Sequence, residues 1–316
     1  MSQLSTAKCF SRIDDLCFGI EQVRPLKPFI KWAGGKGQLL KDIAMAYPDE
    51  MGTKYTKYAE PFVGGGAVLF DILSKYNLSE VYISDVNREL IGTYLAIRDS
   101  VDELIPVLSQ LQDEYVPLDE NKRKLYYYSK RERFNELKIC DTVSLECTAL
   151  FLFLNRTCFN GLYRVNAKGL YNVPMGAYKN PLICDCNNLQ NISRALQNVT
   201  IVCGDYRKSD HFIDGYTFVY FDPPYRPLTE TANFTSYTDT TFDDEAQCEL
   251  AKFMDRVSAK GAKVILSNSD PQNIDIGDNF FDNLYSTYKI NRVSATRMIN
   301  RNSDSRGRIS ELLVTN

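Results

Sequence analysis

The sequence predicts an α/β fold that is organised around an open parallel β-sheet. Residues 218–221 are aromatic or β-branched and carry no charge, which is typical of a strand buried on both faces. Residues 58–85 follow the order strand, glycine turn, helix and strand, which is the pattern of a βαβ unit. Residues 195–316 continue the alternation of short apolar strands with helices. Parallel strands connected by helices account for all three features.

The composition excludes several classes of protein. The 316 residues are 44% hydrophobic and 24% charged, as in an ordinary soluble globular protein of one large or two modest domains. No apolar run approaches the length of a membrane span, and residues 1–26 lack the pattern of a signal peptide. The nine cysteines show no pairing framework, so we expect reduced thiols and a cytoplasmic protein. Residues 1–26 are interpreted as an N-terminal extension without an assigned role.

The charge and the histidine count narrow the chemistry further. A net charge of −3 means that any nucleic-acid binding must depend on local basic patches. The single histidine, His211, lies in a polar segment, which disfavours serine–histidine and cysteine–histidine relays. Cys184-Asp-Cys186 has no second close cysteine pair to complete a zinc site, so no metal is expected.

The first glycine-rich segment begins after Lys27, where a short apolar run leads into Trp-Ala-Gly-Gly-Lys (residues 32–36). Glycines allow backbone amides to approach a ligand closely, and Trp32 and Lys36 flank them. The spacing does not match the phosphate-binding pattern Gly-x-x-x-x-Gly-Lys-Ser/Thr. Taken alone, this loop is either a ligand cradle or a tight turn.

The second glycine cluster indicates a nucleoside site. Glu-Pro-Phe-Val-Gly-Gly-Gly (residues 60–66) joins a strand to a helix, and Asp85 follows the next strand at the distance expected for an acid that binds ribose hydroxyls. The third glycine of the dinucleotide motif would fall at Leu69, which disfavours NAD. The segment better suits a nucleoside that carries a compact amino-acid tail.

The middle of the chain is predicted to be mainly helical. Basic clusters at residues 122–124 and 130–133 lie beside tyrosines 126–128, and their default interpretation is a solvated helix face. An apolar helix is predicted over residues 144–155. The turn Asn-Ala-Lys-Gly (166–169) between two short apolar segments then predicts a β-hairpin. Two-stranded ribbons fit the major groove of DNA.

In the last third of the chain, a strand over residues 199–202 ends at Gly204-Asp205, and the strand over 218–221 ends at Asp-Pro-Pro-Tyr (222–225). Residues 226–244 are long for a connection, so we interpret them as a functional flap. A helix over 244–258 and a strand over 263–267 follow. A basic loop over 297–308 precedes a final strand over 309–314.

The Asp-Pro-Pro-Tyr segment suits a planar base that carries an exocyclic amine. Proline cannot donate to a sheet, so the strand stops at Asp222, at the edge where open parallel sheets bind ligands. A base could stack on Tyr225 and donate its amine hydrogens to Asp222 and to the Pro223 carbonyl. These acceptors would draw the nitrogen lone pair out of the ring and make the amine a better nucleophile.

Four motifs in the same order give the chain its resemblance to the DNA adenine-N6 methyltransferase (Dam) family: Phe-Ile-Lys-Trp-Ala-Gly-Gly-Lys, Glu-Pro-Phe-Val-Gly-Gly-Gly, Asn-Gly-Leu-Tyr-Arg-Val-Asn and Asp-Pro-Pro-Tyr. The resemblance covers residues 28–316. It implies a Rossmann-like methyltransferase sheet and an inserted, mainly helical DNA-recognition domain that carries the hairpin. We assign residues 27–90 and 190–316 to the catalytic domain and 91–189 to the target-recognition domain.

The resemblance also implies roles for individual residues, with S-adenosyl-L-methionine as methyl donor and double-stranded DNA as substrate. Asp222, Pro223 and Tyr225 are the implied catalytic residues. The implied donor-binding residues are Trp32, Lys36, Gly64, Gly66, Asp85, Asp205 and Asp222, and the implied DNA-binding residues are Lys31, Asn160, Leu162, Arg164, Pro174, Tyr178 and Arg306.

The resemblance favours adenine within GATC as the target. Either a restriction–modification system with a paired endonuclease or a Dam-type regulatory role fits it, and we expect a monomer associated with the nucleoid. Three alternatives are carried forward. They are methylation of RNA or protein amides, a DNA-binding module without donor binding, and, last, a nicotinamide oxidoreductase.

Overall fold

A seven-stranded sheet organises the protein. The computed structural model describes residues 26–140, 144–226, 242–296 and 308–316. The strand order across the sheet is β3-β2-β1-β4-β5-β7-β6. The strands are β1 (Lys57–Glu60), β2 (Glu80–Asp85), β3 (Val199–Cys203), β4 (Thr217–Phe221), β5 (Lys263–Ser269), β6 (Lys289–Thr296) and β7 (Arg308–Thr315). Strands β1 to β5 pair in parallel, whereas β7 runs antiparallel to both β5 and β6. The predicted parallel sheet is therefore confirmed, with an antiparallel pair added at one edge.

Nine α-helices accompany the sheet in the described ranges. They are α1 (Leu40–Ala44), α2 (Ala67–Lys75), α3 (Arg88–Asp99), α4 (Val101–Tyr115), α5 (Glu120–Ile139), α6 (Leu145–Thr157), α7 (Cys186–Leu196), α8 (Asp244–Ala259) and α9 (Phe280–Leu284). Side-chain caps fix several of their starts: Asn87 accepts from the Leu90 amide before α3, and Ser144 accepts from the Cys147 amide before α6. Among the described residues, no helix combines the length and the apolar character that crossing a bilayer requires.

The two faces of the sheet bury different groups of helices. All five residues of β4 are buried, as predicted for residues 218–221. Phe218 and Tyr220 pack into the larger core, which also includes residues of α2 to α7. Val219 and Phe221 face the smaller core, which includes α8 and α9. Because side chains alternate across a strand, the apolar sequence of β4 contributes to both cores.

The predicted hairpin is confirmed as an antiparallel turn but does not form a continuous ribbon. The Asn166 amide donates to the Leu170 carbonyl, and Val165 and Tyr171 form an isolated antiparallel bridge. The backbone of Tyr171 pairs with the side-chain amide of Asn135 on α5, at 3.0 and 2.8 Å, instead of with a neighbouring strand. The side chain of Asn135 therefore satisfies both the amide and the carbonyl of Tyr171. The interpretation of residues 226–244 as a flap falls mostly on residues 227–241, which lie outside the described residues.

Candidate active site

Acidic side chains stand at one edge of the sheet, where four neighbouring parallel strands end. Glu60 ends β1, Asp85 ends β2, Asp205 follows β3 and Asp222 follows β4. The carboxyl ends of parallel strands share an edge, so topology gathers residues that are more than 160 positions apart in sequence. Three of the four acids were predicted as site residues. Glu60 was not, and it is buried beneath the site, where it accepts a 2.7 Å hydrogen bond from the Tyr58 hydroxyl.

Asp222 is held by a cation and a hydroxyl. Its Oδ1 lies 2.6 Å from Nζ of Lys36 and accepts a 3.1 Å hydrogen bond from the Ser267 hydroxyl. The Ser267 hydroxyl also shares a 2.8 Å hydrogen bond with the hydroxyl of Tyr220. Burial raises the pKa of Asp222, while the charge of Lys36 opposes that rise. Within the described residues only Oδ1 is engaged, so Oδ2 is available to an incoming donor.

The hydroxyl of Tyr225 anchors one end of its ring. It accepts a 3.0 Å hydrogen bond from Lys36 Nζ and donates a 2.7 Å hydrogen bond to Oε2 of Glu311 on β7. The adjoining proline turn is fixed from α8, because Gln247 donates to the Pro224 carbonyl at 3.1 Å. No hydrogen bond to the Pro223 carbonyl occurs in the described part of the chain. The Asp-Pro-Pro-Tyr segment thus combines a fixed ring, a carboxylate and a carbonyl, as predicted.

Lys36 connects the first glycine loop to this cluster. Its side chain is only 3% exposed, and its ammonium donates to the Gly34 carbonyl at 3.0 Å in addition to Asp222 and Tyr225. Gly34 adopts φ +75°, a conformation that favours glycine. The ambiguity between a ligand cradle and a tight turn is therefore resolved in part: the loop is a tight turn whose lysine enters the site.

The second glycine turn lies against Trp32 and Tyr94. Gly64 has φ +48°, and a Cβ there would stand 2.9 Å from the Trp32 ring. Gly66 has φ +73°, and a Cβ there would stand 2.5 Å from the Tyr94 hydroxyl. That hydroxyl donates a 3.0 Å hydrogen bond to the Gly64 carbonyl. Only glycine fits both positions, and Trp32 comes from the first loop, so the two glycine loops form one surface.

Asp85 retains acceptor capacity beside this turn. Its Oδ2 accepts from the Gly64 amide at 3.1 Å and its Oδ1 from the Asn87 amide at 2.8 Å. Each oxygen has a second lone pair, so the carboxylate fits the two hydroxyls of a ribose. Burial raises the pKa of Asp85 to about 6, although these amide bonds oppose that rise. Asp205 stands on the neighbouring strand end, but its carboxylate accepts from the Arg207 amide at 2.9 Å and caps the turn Tyr206–Ser209.

The predicted DNA-binding residues form a second group that begins at the first glycine loop. The ammonium of Lys31 lies 4.0 Å from the centre of the Tyr178 ring. Arg164 is exposed, and its guanidinium donates to Oδ1 of Asn172 at 2.8 Å. Asn160 is exposed with φ +55°, and Pro174 is exposed as well. The partly buried Leu162 accepts at its carbonyl from the Tyr171 hydroxyl at 3.2 Å, and Arg306 lies outside the described residues.

Asn155 joins the two groups, and sequence reasoning missed it. Its side chain is 2% exposed and pairs with both backbone groups of Lys31, at 2.9 Å for the Lys31 amide and 2.8 Å for its carbonyl. It also donates to the Gly161 carbonyl at 3.0 Å. The stacked rings of Trp32 and Tyr163, with centroids 5.8 Å apart, make a second connection. The sequence feature that could have identified Asn155 is the presence of an asparagine at the end of an apolar helix.

Ser267 and Glu311 were missed for different reasons. Ser267 opens a polar run at the end of a buried strand, Ser-Asn-Ser-Asp (267–270), which is a detectable signal. Glu311 lies in the last strand, 86 residues after Tyr225, and nothing local in the sequence marks it. Only the antiparallel pairing of β7 with β5 brings it to the site.

Comparison with known proteins is consistent with this geometry. The model of the D12 class N6 adenine-specific DNA methyltransferase family matches residues 32–299. The Type II methyltransferase M.MjaIII of Methanocaldococcus jannaschii is 51% identical over 294 residues, which cover 92% of this chain and 99% of the relative. The Type II methyltransferase M1.LlaDCHI of Lactococcus lactis subsp. cremoris is 39% identical, with 92% and 95% covered. The DNA adenine methylase of Escherichia coli K12 is 34% identical, with 91% and 94% covered.

The match spans both glycine loops, the helical segment and the Asp-Pro-Pro-Tyr turn, which carry most of the contacts described above. It confirms the family that the four sequence motifs predicted. The chain belongs to the D12 class of N6 adenine-specific DNA methyltransferases and is an enzyme of that class.

Proposed function

We propose that this enzyme flips an adenine out of double-stranded DNA and transfers a methyl group from S-adenosyl-L-methionine to its N6 amine, within the sequence GATC. The observation that carries the proposal is the Lys36–Asp222–Tyr225 cluster at the edge of the sheet, beside a glycine turn and an exposed loop with Arg164. A carboxylate, an aromatic ring and a nucleoside cradle in one cleft are the groups that this reaction requires.

The methyl donor fits the surface formed by the two glycine loops. Gly64 and Gly66 leave room for the backbone to approach the methionine part, and Asp85 has free lone pairs for ribose hydroxyls. Trp32 supplies an aromatic wall. The buried Lys36 joins this surface to Asp222 and Tyr225, and Asp205 is assigned to the adenine end of the donor because it follows the neighbouring strand.

The target adenine fits the cleft at Tyr225. Flipping costs roughly a few kcal/mol, and stacking on an aromatic ring returns about 1–3 kcal/mol. Hydrogen bonds from the N6 amine to Asp222 and to the Pro223 carbonyl supply the remainder and orient the nitrogen. Because Lys36 and Ser267 occupy Oδ1 of Asp222, we assign Oδ2 as the acceptor of the amine.

The chemistry then follows from positioning. When bound, S-adenosyl-L-methionine supplies a methyl group on a positively charged sulfur that is already a good leaving group, so the reaction needs no metal. Asp222 accepts a hydrogen bond from the amine and draws the N6 lone pair out of ring conjugation. As the bond between N6 and the methyl carbon forms, the bond between that carbon and the sulfur would break, and the proton that N6 then loses would pass to solvent. Tyr225 holds the base in line with the donor. Most of the rate enhancement is expected from this alignment.

DNA recognition is assigned to the loop after α6. Arg164 is exposed and suited to a bidentate contact with guanine, which contributes about 1–3 kcal/mol of discrimination. Lys31 is assigned to the phosphate backbone. The assignment of GATC rests on the resemblance of residues 160–164 to the base-reading hairpin of the Dam family. Asn160, Leu162, Pro174, Tyr178 and Arg306 complete the proposed contact surface, with residues 91–189 as the recognition domain and residues 27–90 and 190–316 as the catalytic domain.

The biological setting is proposed from the relatives. Two of them are named Type II methyltransferases, and another is named a DNA adenine methylase, so both protection against a paired endonuclease and regulation by methylation fit. We propose a cytoplasmic, nucleoid-associated monomer.

One experiment tests both the reaction and the target. Purified protein is incubated with S-adenosyl-L-methionine labelled in the methyl group and with GATC duplexes, near-cognate duplexes, RNA or protein. We expect label in N6-methyladenine of the GATC duplex. Label in a different duplex would reject GATC, label in RNA or protein would reject the substrate class, and no label in any acceptor would reject the reaction.

A further inference from the structure

The last strand places a carboxylate behind the ring on which the proposed target base stacks. Glu311 lies on β7 opposite Ser269 of β5, two residues beyond the position of Ser267. Side chains two residues apart on a strand share a face of the sheet, so Ser267 and Glu311 approach the Asp-Pro-Pro-Tyr turn from the same side. Ser267 bonds to Asp222, and Glu311 bonds to Tyr225.

The Tyr225 hydroxyl is fixed from two directions. It donates to Glu311 at 2.7 Å and accepts from Lys36 at 3.0 Å. Lys36 in turn lies 2.6 Å from Asp222, so one chain of contacts runs from the proposed amine acceptor to the final strand. Two hydrogen bonds fix the position of the hydroxyl at the far end of the ring and so restrict rotation about the Cα–Cβ bond of Tyr225.

This chain of contacts also places acidic groups beside the proposed site of a cationic donor. Asp222 and Glu311 contribute two carboxyl groups and Lys36 one ammonium beside the proposed site of a sulfonium. Burial raises the pKa of Glu311, whereas Lys36 and the Tyr225 hydroxyl oppose that rise. Two functions are therefore conceivable for Glu311: to anchor the tyrosine or to contribute charge.

We propose that Glu311 is a positioning residue, which acts through the Tyr225 hydroxyl to hold the ring where the flipped adenine stacks. This inference rests on the proposed function. The geometry favours anchoring over charge, because the carboxylate is hydrogen-bonded directly to the hydroxyl, whereas Lys36 acts on it through its charge without a direct hydrogen bond in the described part of the chain. A flipped base gains most from stacking when its platform does not have to be ordered during binding.

Two substitutions separate anchoring from charge. Glu311→Gln keeps an oxygen that can accept from Tyr225 but removes the charge, whereas Glu311→Met removes both at similar length. We expect the single-turnover methylation rate to fall about tenfold or more in Glu311→Met, the effect of losing about 1.4 kcal/mol of alignment, and to stay within about threefold of the unsubstituted enzyme in Glu311→Gln. Fluorescence of 2-aminopurine at the target position reports unstacking of that base. It should decrease from the unsubstituted enzyme to Glu311→Gln and decrease further in Glu311→Met.

A double-mutant cycle with Tyr225→Phe tests the route of action. If Glu311 acts through the hydroxyl, Glu311→Met has no further effect on the methylation rate in the Tyr225→Phe background. Asp255→Leu is a matched control for Glu311→Met, because Asp255 also accepts a 2.7 Å hydrogen bond from a tyrosine, Tyr288, outside this cluster. Its methylation rate should be unchanged, and its melting temperature reports the cost of losing such a bond.

The outcomes distinguish this inference from the proposed function. An unsubstituted enzyme that methylates no adenine removes the proposed function itself. An active enzyme whose Glu311→Met variant is equally fast overturns the anchoring role alone. Equal impairment of Glu311→Gln and Glu311→Met, or full additivity with Tyr225→Phe, also overturns it, because either result would mean that charge or another contact matters.

Discussion

At the scale of single residues, two acids of the site differ in their hydrogen-bond partners. Asp222 is paired with Lys36 and Ser267 and keeps one oxygen open, whereas Asp85 is bound by two backbone amides. Both carboxyls have raised pKa values, and burial is the largest cause in each. The two acids are both buried but have different partners. The partners are the reason why we assign Asp222 to an amine and Asp85 to hydroxyl groups.

Replacing Asp222 tests the proposed amine acceptor. We expect Asp222→Ala to lower the single-turnover methylation rate by at least about 10²–10⁴-fold, the range associated with a positioned acid or base, while binding of the DNA duplex stays measurable. Rapid-quench assays give the rate and fluorescence anisotropy the binding. Because the substitution leaves the buried Lys36 without its carboxylate, circular dichroism must confirm folding first. A folded variant with appreciable turnover would remove the assignment.

The proposed role of Asp85 in donor binding predicts that the affinity for the donor depends on pH. Its carboxyl has a pKa of about 6, so it is ionised at higher pH and gains a proton as the pH falls through that value. Protonation uses an acceptor lone pair, so donor affinity should be full above about pH 7 and fall by up to about tenfold per pH unit below 6. Calorimetric titration with S-adenosyl-L-methionine from pH 5 to 8 measures this. Asp85→Asn should bind more weakly without that dependence, and an identical pH profile in the variant would contradict the role.

At the scale of elements, the end of α6 connects the first glycine loop to the proposed recognition loop. Asn155 lies in the last turn of this helix and bonds to the first glycine loop and to the loop that carries Arg164. Tyr163 stacks on Trp32 and also bonds to Lys138 and Glu89, which form an ion pair between α5 and α3. The proposed recognition loop is thus fixed to the donor surface by buried contacts.

Replacing Asn155 should loosen this connection. Asn155→Leu leaves two backbone carbonyls and one amide without their partner, so we expect the free energy of unfolding to fall by about 1–3 kcal/mol. The ratio of methylation rates on cognate and near-cognate duplexes should also fall, because the loop and the cleft are no longer held in register. Chemical denaturation and methylation assays measure the two effects.

Asn188 on α7 offers a matched control for that experiment. It pairs with the two backbone groups of Lys27 at 3.1 and 2.8 Å, which is the same arrangement without a contact to the recognition loop. Asn188→Leu should lower stability but leave the ratio of rates unchanged. If both variants kept the ratio, Asn155 would be a structural residue only.

At the scale of the whole molecule, DNA binding must overcome an unfavourable total charge. The chain carries a net charge of −3, so attraction to phosphates has to come from a local surface. Lys31 lies beside the proposed recognition loop, is partly exposed, and places its ammonium 4.0 Å from the centre of the Tyr178 ring, with no ion pair among the described residues. A cation placed in this way suits a phosphate at the edge of the bound duplex.

The salt dependence of DNA binding tests this location. Lys31→Gln should weaken binding and make the slope of log affinity against log salt concentration shallower by about 0.9, the value for one phosphate contact. Anisotropy titrations at several salt concentrations give the slope. Lys252→Gln on α8 is the control, because this exposed lysine pairs with Glu249 on the opposite face of the sheet, and its slope should be unchanged. An unchanged slope in Lys31→Gln would place Lys31 away from the phosphates.

The sequence by itself determined those parts of the protein that depend on local pattern. The buried strand β4, the strand–glycine–helix unit from β1 to β2 and the apolar helix α6 were all predicted within a few residues of their bounds, because strand and helix periods are visible in a short window. Asp222, Tyr225, Asp85 and the glycines were singled out in the same way from the residues next to them, and their roles stay predictions.

Only the tertiary structure decided which distant residues meet. The hairpin is bonded to Asn135 on α5, the lysine of the first loop enters the site through its ion pair with Asp222, and Glu311 lies on a strand whose neighbour is set by sheet order. Such contacts join residues from tens to almost two hundred positions apart, and their energies depend on burial and geometry that no short window contains. Local periodicity is a property of the chain, whereas the partner of a buried polar group is a property of the fold.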